Sequence, residues 1–129
     1  MNARQVELCK NLRRMSSDQA ADWLIGTYPI ASNDWGEAIL LLSHRSWRKA
    51  EQRRLASYYF KKLPFSGCRG YEAFASIMSV GLMIFCIKGA LAEVSRRDLL
   101  LYYLVPVLNR AAKNELDRQR INDLIVEVS

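Results

Sequence analysis

Apolar residues recur along this chain at intervals of three and four and almost never alternate, and that period predicts helices from one end to the other. Val6, Leu8, Cys9, Leu12 and Met15 set the pattern over residues 3 to 14. In "SSDQAADWLIGTY", Ser17 reads as the N-cap, Asp18 supplies first-turn negative charge, and Pro29 closes the element. Asn33 or Asp34 caps the next helix, whose apolar positions are Trp35, Ala38, Ile39 and Leu42. A longer helix over 47 to 62 sets Trp47, Leu55, Ala56, Tyr59 and Leu63 on one side, and "LPFSGCRG" then breaks the chain with Pro64, Gly67 and Gly70. Ser95 is the expected cap of "RRDLLLYYLVPVLNRAAK", where Pro106 should kink the helix or split it after Leu104. Asn114 separates a last helix with Leu116, Ile121, Leu124, Ile125 and Val128 apolar.

"AFASIMSVGLMIFCI", residues 73 to 87, has no charge and is bracketed by Glu72 and Lys88. A membrane span needs about 20 apolar residues at 1.5 Å each, so this stretch is too short, and its flanks show neither an aromatic belt nor a one-sided basic excess. Its spacing predicts one central helix. Phe74, Ile77, Met78, Gly81, Ile84 and Phe85 lie on one face, and Ala73, Ala75, Ser76, Ser79 and Cys86 form a small-residue face opposite.

The fold class is therefore all-α: a single domain, residues 1–129, of about seven helices in antiparallel hairpins. An irregular bundle and a short helical-repeat stack both satisfy the pattern. Segments 34–62 and 72–112 each read as helix, turn, helix, and "DWGEAILLLSHRSWRKAEQRRLASYYF" resembles a HEAT-type repeat in its hydrophobic spacing. That resemblance spans about half the chain and implies a short stack of helical hairpins.

Composition narrows the class of object. Half the residues are hydrophobic and a quarter charged, the balance of a chain that buries a core. "MNARQVELCKNLRRM" scatters charges where a signal peptide would carry an apolar run. Three cysteines, an odd number in a chain large enough to fold without staples, suit a reducing cytoplasm. Cys9, Cys68, Cys86 and His44 show no metal-ligand spacing, so no metal or other cofactor is expected. The Arg that helical HEPN-type ribonucleases place shortly before a His is missing, since Glu37, Ala38 and Ile39 stand there instead. "GCRG" lacks the spacing and the lysine of a phosphate loop. Asp18 and Asp22 share a helix face, where capping and solubility explain them. No enzyme is expected from this inventory.

Charge is the feature that stands out. Arg45, Arg48, Lys49, Arg53, Arg54, Lys61 and Lys62 are opposed between His44 and Lys62 by the single acid Glu51, a surplus equal to the whole chain's formal +6. On one continuous helix Arg45, Lys49 and Arg53 form a stripe, with Arg48 and Arg54 at its edges and Trp47 and Tyr58 among them. Such a stripe is a solvated face, a nucleic-acid groove, or a surface that draws in an acidic protein and grips it through Trp, Tyr and Arg. The favoured reading is a protein-binding module acting through Arg45, Trp47, Arg48, Lys49, Arg53, Arg54, Tyr58, Lys61 and Lys62. In general form such a chain is similar to the small helical immunity proteins that bacteria pair with secreted toxins. The alternative is a nucleic-acid-binding or regulatory helical domain.

Overall fold

Capping residues set where the helices begin. The Asn2 side chain accepts from the Gln5 amide at 2.8 Å and Gln5 returns a bond to the Asn2 N–H, a capping box that starts α1 (Ala3–Arg14). Ser16 and Gln19 repeat the device at α2 (Ser17–Thr27), so Ser16, not Ser17, is the cap. The chain continues through α3 (Trp35–Leu42), α4 (Lys49–Tyr59) and a 3₁₀ turn over Phe60–Lys62. Then come α5 (Arg69–Ile77), α6 (Val80–Ala90), α7 (Arg97–Ala111) and α8 (Glu115–Val128). The computed structural model describes residues 1–129, and they form an all-α structure of eight helices without a strand.

The eighth helix comes from the uncharged stretch, which is two helices rather than one. Met78 leaves helical geometry, and the Ser79 hydroxyl accepts from the Leu82 amide at 3.1 Å to start α6 afresh. The break resets the faces. Val80, Met83, Ile84 and Ile87, at the spacing of one helical face, are buried in α6, with Cys86 buried beside them. Phe85, expected in the core, is 61% exposed. No helix is long and apolar enough to cross a membrane.

Two other expectations change at α7. Arg96, not Ser95, holds the N-cap position, and its guanidinium makes paired 3.0 Å bonds to Asp98. Pro106 neither splits nor ends the helix, which runs on to Ala111. Pro106 and Tyr102 are both on the exposed side, so the carbonyl that loses its helical donor faces water.

Helix neighbours define two layers. α1 packs on α3, α3 on α5 and α5 on α7; α2 packs on α4, α4 on α6 and α6 on α8. Odd-numbered helices form one layer and even-numbered helices the other, with α7 against α8 joining them at the C-terminal end. This is the order of a stack of helical hairpins. Buried side chains from all eight helices join in one cluster.

Aromatic side chains staple the connections. The Tyr59 hydroxyl donates to the Tyr28 carbonyl at 2.9 Å, closing the end of α2 onto α4. Tyr58 accepts from the Ile30 amide at 2.9 Å, and Tyr71 accepts from the Phe65 amide at the same distance. Each bond satisfies a backbone group that a turn leaves without a helical partner.

Candidate functional site

The structure sorts the expected binding residues into three groups. Arg45 and Trp47 face inward. Arg45 precedes α4 rather than lying on it, so the Arg45–Lys49–Arg53 stripe does not form. Its Nη1 donates to the carbonyls of Leu12 at 2.7 Å and Met15 at 2.9 Å, filling the C-terminal end of α1. Its guanidinium also stacks on Trp47, 4.6 Å from the ring centroid, and burial pulls its pKa below the ordinary arginine value. Trp47 is 6% exposed and donates its indole N–H to the Leu42 carbonyl at 2.9 Å.

Arg48 and Arg54 point toward α2. Arg54 bonds Asp22 at 2.6 Å, while Arg48 meets Glu51 at 3.0 Å and Asp18 at 3.8 Å. Ser17, displaced from its expected capping role, accepts from the Arg48 amide at 3.0 Å and lies beside Glu51. That hydroxyl, and next the Arg48 guanidinium, hold Glu51 below the usual carboxylate range. Half of the α4 charge thus meets acids of a neighbouring helix.

Lys49, Arg53, Lys61 and Lys62 make no salt bridge. Lys61 lies 5.4 Å from the Tyr58 ring centroid and Lys62 5.5 Å from that of Trp35. Lys49 and Arg53 turn toward α6. A groove of about 560 Å³ opens there, lined by Lys49, Gly81, Phe85, Lys88, Arg120 and Asp123 among others. Arg53 sits over Phe85 at 5.3 Å, which holds a guanidinium against an exposed ring.

The groove exists because α6 carries a glycine where α8 crosses it. A Cβ on Gly81 would stand 2.7 Å from Arg120 Nη1, so the missing side chain lets that guanidinium lie across the helix. Arg120 has only a 3.8 Å partner in Asp117, and Lys88 bonds Glu127 at 3.2 Å. Phe85, Lys88 and Arg120 were not among the expected binding residues. The Ser79 cap was the signal for Phe85 and Lys88, since it fixes which way the α6 side chains point, whereas Arg120 arrives from α8 with no local signal.

Burial pushes the Cys9 and Cys86 thiols up, and a hydrogen bond to Glu72 raises Cys68. No three His, Cys, Asp or Glu side chains converge as metal ligands would. Compared with family models, curated proteins and solved structures, the chain matches none of them.

Proposed function

We propose that this chain is a non-enzymatic protein-binding module that meets an acidic partner through the face of α4, α6 and α8. Its most specific form is a toxin-neutralising immunity protein. One observation carries the reading: Lys49 and Arg53, both free of acids, flank the exposed Phe85 beside Lys88 and Arg120. An exposed aromatic ringed by cations supplies an anchor for contact and a field for steering, the two parts of an interface that recognises negative charge. The Lys61 cation extends that field past the end of α4.

The test compares two anionic probes, a glutamate-rich helical peptide and a short DNA duplex, by fluorescence anisotropy over a salt series. Saturable peptide binding is expected. It should be lost in Lys49→Glu/Arg53→Glu and kept in Arg48→Gln/Arg54→Gln, whose arginines already face acids. Duplex binding without peptide affinity, its salt slope shrinking by about 0.9 per phosphate contact removed, assigns the face to nucleic acid instead. The immunity role is tested separately, by co-expression with the toxic domain of a secreted protein encoded beside it. Continued killing overturns that specific form.

A further inference from the structure

A second concavity lies on the other layer, and the acidic-partner reading makes no use of it. It is a groove of about 1040 Å³ between α3, the connection after Leu63, and α5. Its apolar wall includes Trp35, Ile39, Leu40, Phe65 and Ala73. Leu40 is 46% exposed on a helix whose other leucines, Leu41 and Leu42, are fully buried. The groove is also empty of its own side chains at two places, because a Cβ added at Gly36 or Gly67 would meet nothing within 4 Å.

The polar groups of this groove are unequal in sign. Lys62 and Arg69 enter its lining without any carboxylate partner, and Lys62 is held over the Trp35 ring that forms the wall. The one acid in the lining, Glu72, leaves the two cations in excess. Apolar wall, open volume and two unpaired cations specify a ligand with a hydrophobic body and one negative end. The volume lies just above the usual range for small-molecule sites, roughly 300–1,000 Å³.

We propose that this groove binds an apolar carboxylate, its chain along Trp35, Leu40 and Phe65 and its anionic end between Lys62 and Arg69. The site shares no residue with the α4–α6–α8 groove, so either reading can fail alone.

Cys68 provides the readout. It lines the groove and is partly exposed, while Cys9 and Cys86 are buried. N-ethylmaleimide, a neutral reagent, should therefore modify Cys68 first. Decanoate, below its micellar range, is the probe, with decanol and acetate as its neutral and short counterparts. At about ten times its dissociation constant decanoate should slow the modification about tenfold, in proportion to the unliganded fraction. Decanol and acetate at equal concentration should leave the rate unchanged. Lys62→Gln/Arg69→Gln, which alters only side chains without ion partners, should abolish the protection with an unchanged helical circular dichroism signal. Gly36→Trp, which fills the groove from α3, should abolish it too. Absence of decanoate protection overturns the site. Equal protection by decanol, or full protection in the double variant, overturns its assignment to a carboxylate.

Discussion

Arg53 and Phe85 form a stacked pair across the α4–α6 boundary, guanidinium carbon 5.3 Å from ring centroid, on the outside of the molecule. An exposed cation–π pair is worth about 0.5–1 kcal/mol. Phe85→Ala should therefore lower stability by about 1 kcal/mol. Phe74→Ala, which removes a fully buried ring, should lower it by about 3–5 kcal/mol. Urea unfolding of the two variants measures the contrast. Equal losses would mean that the Phe85 ring packs as core.

Arg45 belongs to the structure more than to its surface. Hydrogen bonds from a charged donor contribute about 1.5–3 kcal/mol, and the Leu12 and Met15 carbonyls share this guanidinium. Arg45→Ala should reduce stability by about 2 kcal/mol in thermal or urea unfolding, with binding of the acidic peptide unchanged in the folded fraction. Arg45→Lys should recover little, because one ammonium cannot reproduce the fork that reaches two carbonyls while stacking on Trp47. A lysine variant as stable as the parent would show that charge alone suffices there.

Much of the fold was legible because helical periodicity is a local property. Ala38, Ile39 and Leu42 of α3 and Leu55, Ala56 and Tyr59 of α4 read directly from the i, i+3, i+4 spacing, whereas the buried Leu41 and Glu51 did not, and Asn114 read correctly as the boundary of the last helix. The misreadings share a physical cause: a particular hydrogen bond or solvent exposure, which periodicity does not encode, decided the outcome. A serine cap inside an unbroken apolar run reset the face of α6 and turned Phe85 outward. Ser16 won over Ser17 because Gln19, three residues on, completes the box. Pro106 was tolerated because the unbonded turn faces solvent. At the candidate site, the concentration of charge on α4 was visible in the chain. Which cations stay free was not, since Asp18 and Asp22 sit on α2 and Arg120 arrives from α8, distant in sequence.

Alkaline pH should weaken the protein through its buried phenols. Burial, together with the nearby Tyr58 and Tyr28, pushes the Tyr59 hydroxyl well up, and burial takes Tyr71 to about 12. The unfolded chain releases these protons near pH 10, so above that pH the folded state binds more protons than the unfolded one. Stability is then fully present below pH 10 and falls above it, by about 1.4 kcal/mol per pH unit for each phenol still protonated in the fold. Urea midpoints on either side of that pH measure the slope. Tyr71→Phe should start lower, since it strands the Phe65 amide, and then decline less steeply. An unchanged slope would remove Tyr71 from the account.

Two glycines make close approaches of opposite consequence. A Cβ on Gly70 would lie 2.6 Å from the Phe65 ring, which is buried and wedged among Trp35, Phe60 and Tyr71. Those three rings resist its displacement, so Gly70→Ala should destabilise by about 1–3 kcal/mol, the usual effect of overpacking. A Cβ on Gly81 would meet only the far end of Arg120, a flexible and half-exposed side chain that can swing aside. There the helix-favouring gain of alanine, up to about 1 kcal/mol, faces little opposition, and Gly81→Ala should leave the unfolding midpoint unchanged or slightly raised. It should still weaken binding of the glutamate-rich peptide, because the displaced guanidinium no longer lies across the groove beside Phe85. Unfolding and anisotropy on the same two proteins separate the cases: Gly70→Ala loses stability, and Gly81→Ala loses affinity alone. A Gly81→Ala protein that binds as the parent does would remove Arg120 from the recognition surface and leave Lys49 and Arg53 to act without it.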